Sequence, residues 1–289
     1  MASLKEIKGR IETVISTQKI TSAMKMIASA KLHRAQGAIR NMLPYEKSLN
    51  DIMLRLLSSG GELSSPYIEK RSVQRVAIIV FSSNTTLCGA FNSNVNKELT
   101  QIIDSYPEVG NESILIYPIG KQISKQVVRA GFTPQGDFEK LANKPDYNEA
   151  SELAHKLMRM FEAEEIDKVE LLYHHFISTG KQVLTRSTYL PLDLQSVKTL
   201  DAEAQTDYII EPEEKVLIQS LIPKVLSLKV FTALLDSNAS EHAARMMAMQ
   251  TASDNARDLL HTLTVQYNKS RQQAITNELL DIVGASTHK

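Results

Sequence analysis

The stretch RIETVISTQKITSAMKMIASAKL, residues 10–32, contains neither glycine nor proline and decides how the chain is read. Written at alternating three- and four-residue steps, one stripe runs Leu4, Ile7, Ile11 and Val14. It then turns polar at Gln18, Thr21 and Lys25, and returns through Ala28, Leu32, Ala35 and Ile39 to Met42, Glu46, Leu49, Met53 and Leu56. A stripe of that period is the seam of a coiled-coil helix. Pro44 is a candidate kink, and SSGGELSSP (58–66) ends the segment.

A second seam occupies the other end of the chain. Residues 224–283 again lack glycine and proline. Here the stripe is Val225, Leu228, Leu235, Ala239, Met246, Met249, Ala256, Leu260, Leu263, Tyr267 and Ala274, with Thr232, His242, Ser253 and Ser270 at its polar steps. At 1.5 Å per residue each helix would extend roughly 80–100 Å, too long to lie inside a compact domain of this size. The two are therefore expected to pair. If both are rooted in the region between them, they run antiparallel and facing residue numbers add to about 271, by the even rise of the helix. Leu4 then faces the region of Tyr267, and residues from about 268 onward lack a partner helix.

The middle has a different composition. RVAIIVFSS (75–83) and SILIYPIG (113–120) read as buried strands, and ASELAHKLMRMFEAEE (150–165) as an amphipathic helix. KVELLYHHFIS (168–178) and QVLTRSTYLPL (182–192) read as a hairpin across TGK. The order predicts a Rossmann-like α/β domain, largely parallel with an antiparallel edge. The expected divisions are an N-terminal coiled-coil helix (1–60), an α/β domain (61–212) and a C-terminal coiled-coil helix (213–289).

The formal net charge of the 289 residues is zero, which argues against a general nucleic-acid binder. Residues 1–43 are nonetheless basic, with eight Lys and Arg against Glu6 and Glu12. The single cysteine, Cys88, excludes an internal disulfide. No signal peptide and no continuous apolar run of about 18 residues is evident, so a cytosolic-type compartment is expected. Phosphate-loop and dinucleotide glycine patterns are missing. CGAFNSN (88–94) is either an anion-binding helix start or, more simply, a tight turn into a packed helix. His174 and His175, adjacent on a strand, point to opposite faces and cannot share one metal. No nucleophile, base and orienting group come together, and neither a cofactor nor a metal site is expected.

SLKEIKGRIETVISTQKITSAMKMIASAKL (3–32), EHAARMMAMQTASDNARDLL (241–260) and LTVQYNKSRQQAITNELLDIVGA (263–285) closely resemble the gamma subunits of F-type ATP synthases. TLCGAFNSNV (86–95) and DYIIEP (207–212) match weaker stretches of that family, which usually has an Asp-Arg-Gly run where this chain has Asn84, Thr85 and Thr86. The small-residue run after Val283 also looks one residue short.

The resemblance implies a central rotor shaft without bond chemistry of its own. Its α/β foot would bind the epsilon subunit and the membrane c ring, at the cytoplasmic face of the bacterial plasma membrane. Its coiled coil would rise into a ring of three alpha and three beta subunits, which bind the ATP. Coupling contacts to beta fall, by the same resemblance, on Met24, Lys25, Arg245, Arg271, Gln272, Thr276 and Glu278. Leu279, Leu280, Ile282 and Val283 would form a greasy bearing, and Tyr208 and Glu211 would face the c ring or epsilon. Lys19, Lys25 and Lys31 would meet acidic levers, while small Ala and Ser and adaptable Met suit a surface whose neighbours change. An enzyme housed in the α/β domain and a coiled-coil adaptor are the competing readings.

Overall fold

The structure is a computed structural model and describes residues 3–58, 65–192 and 214–286. Helix α1 spans Leu4–Ser58 and α6 spans Glu214–Ser286. By compactness the chain divides into one unit of residues 1–29 with 245–289 and a second unit of residues 30–244. The helix passes through Pro44 without ending. At the other end α6 starts ten residues before the glycine- and proline-free run and passes through Pro223.

In the first unit the two helices bury one stripe each. Every position of the α1 seam from Leu4 to Ala28 is at least partly covered, including Gln18, Thr21 and Lys25. Thr21 is buried, and its hydroxyl donates to the carbonyls of Thr17 and Gln18, both at 3.1 Å. A threonine satisfied by its own helix can lie in a seam without a partner across it. On α6 the seam from Met249 to Ala274, with Ser253 and Ser270, is covered in the same way, and residues 275–283 are all exposed. The most buried positions mirror each other as the sequence register requires. Ile7 matches Leu263, and Thr21 matches Met249. The partly covered Val14 and Gln18 match the buried Ala256 and Ser253.

This register predicts that Thr21→Cys with Met249→Cys, in a chain whose Cys88 is replaced by Ser, closes a disulfide on mild oxidation. Cα atoms must approach within about 7 Å for that bond. Closure of a pair shifted by several turns, with none near 21 and 249, would show the register to be wrong.

The second unit holds the sheet. Strands β1 (Val76–Phe81), β2 (Ile114–Ile119), β3 (Lys168–Ser178) and β4 (Lys181–Leu190) lie in the order β2-β1-β3-β4. β1 pairs in parallel with β2 and β3, and β4 closes the far edge antiparallel to β3. All six residues of β1 are buried, as a central parallel strand covered on both faces requires. Pro118 sits on β2, at the sheet edge, where a missing N–H is tolerated.

Helices α2 (Phe91–Asp104) and α3 (Lys121–Arg129) pack Val95, Leu99, Ile102, Ile123 and Val127 on the face shown by Val76, Ile78 and Val80. A short α4 (Glu139–Asn143) precedes α5 (Tyr147–Glu162), which starts where Asp146 accepts the backbone N–H groups of Asn148 and Glu149. α5 covers the opposite face, where Met160 accepts the Tyr117 hydroxyl. Gly120 has φ +108, and a Cβ there would lie 2.4 Å from the Ser82 carbonyl oxygen, so no other residue fits.

The β3–β4 hairpin is fastened by a buried carboxylate. Glu170 is held by Arg186 (2.8 and 3.0 Å), Lys168 (2.8 Å) and the Tyr106 hydroxyl (2.7 Å). Burial alone would raise this carboxyl. The bonds from Arg186, Lys168 and Tyr106 override burial and hold it below the ordinary carboxylate range.

No unbroken apolar run of 18 residues occurs in α6, yet an 18-residue window of it reaches a mean hydropathy of 1.5. Charged residues, among them Lys224 and Lys229, interrupt its longest apolar runs. Of that window 56 % is buried within the protein, so much of its apolar surface serves the core.

Candidate functional site: an uncovered helix tip and a helix seat

Two surfaces stand out, one in each unit. In the first unit, Ile275, Leu279, Leu280, Ile282 and Val283 recur at helical spacing and are about half or more exposed, with Ile282 at 65 %. Arg271, Gln272, Thr276 and Glu278 lie on the same stretch and are exposed. The Thr276 hydroxyl donates to the Gln272 carbonyl at 2.9 Å. The side chains of Arg271, Gln272 and Glu278 make no hydrogen bond or ion pair with the described residues. Met24 and Lys25 are partly covered, and Arg245 is buried at 8 % exposure. Arg245 is thus a covered residue of the free chain, unlike Arg271.

The sequence reading passed over Ile20 and Ile27, exposed at 59 % and 60 % beside the equally exposed Met26. They lie seven residues apart, on one side of α1, away from the seam. The signal available was a pair of large apolar residues that the seam does not absorb. Contiguous uncovered apolar surface of this kind marks contact with another molecule. Tyr208 and Glu211 lie outside the described residues.

In the second unit, α6 is seated against the sheet by polar groups. Asp236, 3 % exposed, accepts the Phe176 N–H at 2.8 Å and meets the His175 ring at 2.5 Å. The Ser240 hydroxyl donates to the His174 carbonyl at 3.0 Å, and the Asn238 amide donates to the Ala142 carbonyl at 2.9 Å. Burial raises the Asp236 carboxyl, and the bonds from His175 and Phe176 offset this only in part. Lys229 is depressed by burial and Glu46 of α1 is raised by it, each partly offset by the other's charge. Lys229 is one helical turn from Val225, the position the register sets opposite Glu46, a distance long side chains span.

The same helix packs over the carboxyl ends of β1 and β2, the end of the sheet at which α/β folds ordinarily bind ligands. Phe81 at the end of β1, Ser82 after it and Ile119 at the end of β2 meet Leu234, Ser237, Asn238 and Glu241 there, around a void of about 10 Å³. Small-molecule sites need about 300–1,000 Å³.

Next to it, CGAFNSN forms the tight turn into a packed helix. Asn92 donates to Ser83 Oγ (2.8 Å) and Cys88 Sγ (3.2 Å), while Leu87 and Gly89 take positive φ. The Asn84 amide donates to the Glu139 carbonyl at 2.6 Å, a bond no carboxylate could give. The two histidines point apart as expected. His174 stacks on Phe91 at 4.2 Å, and His175 bonds Asp236.

A larger cavity of about 510 Å³ lies at the amino end of the parallel strands, lined by Lys70, Arg71, Val73, Asp167, Lys168, Thr188 and Pro191. Lys168 is committed to Glu170, and Arg71 donates to the Phe161 carbonyl. No three metal-binding side chains converge among the described residues.

The sequence model of the ATP synthase family matches residues 3–287. The ATP synthase gamma chain of Phocaeicola vulgatus is 62 % identical over 287 residues, covering 99 % of both chains. The chain belongs to the ATP synthase gamma chain family. The gamma chain of Bacteroides thetaiotaomicron is 60 % identical, again over 99 % of both chains. The fold is shared with a chain of the Euglena gracilis mitochondrial ATP synthase, in a cryo-EM structure of OSCP, F1 and c-ring (TM-score 0.65, 20 % identity, 99 % of this chain and 94 % of that one). Within this family both the long helices and the α/β unit are accounted for, and the chain is a subunit of a membrane-associated ATP synthase.

Proposed function

We propose that this chain is the central rotor shaft of its ATP synthase, carrying rotation from the membrane c ring to the catalytic beta subunits. The observation that carries the reading is the tip of α6. Residues 275–283 are exposed, and five of the nine are large and apolar, on a helix whose preceding seam is covered. A free monomer gains nothing from such a tip, whereas a ring that encloses it would bury it. The alpha and beta subunits form that ring, and the epsilon subunit and c ring bind the α/β unit. The chain thus stands peripherally at the cytoplasmic face of the bacterial plasma membrane.

Met24, Lys25, Arg245, Arg271, Gln272, Thr276 and Glu278 are the proposed coupling contacts. Leu279, Leu280, Ile282 and Val283 are the proposed bearing, and Tyr208 and Glu211 the proposed foot contacts. The exposed Ile20, Met26 and Ile27 extend the surface offered to the ring. Residues 1–60 and 213–289 act as the shaft and 61–212 as the foot.

ATP is bound by the partners and not by this chain, a reading supported by the filling of the strand-end crevice with α6. The expected result is co-purification with alpha and beta subunits, and no ATP turnover by the free chain. Enzyme-like turnover in preparations free of alpha and beta would overturn it.

A further inference from the structure

Strand β3 outlasts its parallel neighbour. β1 pairs with it only as far as Leu172, yet β3 continues to Ser178 with β4 on its other side. Beyond Leu172 the backbone groups on the vacated side need other partners, because a buried N–H or C=O left unmet is costly. α6 supplies them. The His174 carbonyl accepts from Ser240, and the Phe176 N–H donates to Asp236. Asp236 and Ser240 are one helical turn apart, and His174 and Phe176 are one strand repeat apart. Helix α6 therefore reads two successive positions of β3 as a neighbouring strand would.

We propose that Asp236 is a positioning residue for rotary coupling, fixing the axial and rotational register of α6 on the sheet. Apolar packing alone does not set that register sharply, because hydrophobic burial is non-directional. Leu234 and Leu235 would be buried nearly as well after a small rotation or slip of the helix. Bonds to fixed backbone atoms do not survive such a slip. Asp236 makes one of them, to the Phe176 N–H, and its other oxygen meets the His175 side chain; Ser240 and Asn238 add two more backbone bonds, to the His174 and Ala142 carbonyls.

The proposal rests on the rotor reading. If the chain is a shaft, torque passes between sheet and helix through this seat. Register lost there would let the ring hydrolyse ATP without moving the foot in step.

The test uses the complete complex, assembled around this chain in sealed membrane vesicles, with Asp236→Ala, Asp236→Asn and Ser240→Ala. Two quantities are read at a temperature well below unfolding: ATP hydrolysis, and ATP-driven ion pumping per ATP. Asp236→Ala is expected to retain hydrolysis and lose pumping per ATP. Asp236→Asn, which keeps an acceptor for the Phe176 N–H, is expected to lose less. In the free chain, exchange of the Phe176 amide should quicken about 10–100-fold in the alanine variant, as loss of a bond to a charged group implies.

Unchanged pumping per ATP in Asp236→Ala, with only a lowered thermal midpoint, would overturn the proposal and leave a purely structural residue. If the alanine variant does not assemble, the Asn and Ser240→Ala variants decide by the same ratio. Failure of the unaltered complex to assemble or pump would count against the rotor reading and not against the role of Asp236.

Discussion

Alanine at both Arg271 and Gln272 is expected to cut ATP synthesis by the assembled complex by about tenfold or more. Both side chains are exposed, and neither bonds to the described residues of its own chain. Their hydrogen-bonding capacity is therefore available to another molecule. A hydrogen bond to a charged group is worth about 1.5–3 kcal/mol, and 1.4 kcal/mol is a factor of ten in rate when the bond acts in the limiting step. The same substitutions should leave the free chain's thermal midpoint within about 1–2 °C, since exposed helix positions change stability by about 0.5 kcal/mol at most. Synthesis rates in vesicles and a thermal melt of the free chain check both halves. A large fall in the midpoint would make these residues structural, and unimpaired synthesis would remove them from the coupling surface.

The second large effect is a loss of stability in mild acid, set by His174. Its ring is buried against Phe91, its Nδ1 has no partner among the described residues, and burial pushes its pKa down to about 4. The unfolded histidine titrates near 6.5, so between those values the unfolded chain binds a proton that the folded chain excludes. Stability from this group is fully present above pH 6.5 and is lost as pH falls through the folded pKa near 4. At about 1.4 kcal/mol per unit, the loss across the window is on the order of 3 kcal/mol.

Asp236 and Glu46 act in the opposite sense, because burial raises their carboxyls and the folded state takes up their protons first. Subtracting a His174→Leu variant isolates the histidine. Between pH 7 and 4 the urea midpoint of the His174 protein should fall relative to that of the variant. Parallel curves would show that His174 is not the acid-sensitive group.

Both helices and the sheet were legible because period is visible in sequence. The polar interruption at Gln18, Thr21 and Lys25 did not end the seam, since Thr21 satisfies its own hydroxyl along the helix. The hairpin across Thr179 and Gly180 formed as its turn residues indicated. What period could not show is where a polar side chain finds its partner. Asp236, Asn238 and Ser240 look like ordinary polar positions in a long helix. Their partners, Phe176, Ala142 and His174, lie 60 or more residues away in sequence. Exposure was equally invisible at Ile20 and Ile27, which read as generic helix residues until the seam had been placed beside them.

The central claim is that this chain turns inside its ring, and rotation itself is the most direct measurement. Lys97, on the exposed surface of α2, can be changed to Cys in a chain carrying Cys88→Ser and linked to a bead, with the alpha and beta ring fixed to glass. On addition of ATP the bead should revolve in one direction and pause three times per turn, once for each beta subunit of the ring that the family implies. ATP hydrolysed at the normal rate while the bead only fluctuates about a fixed angle would contradict the account.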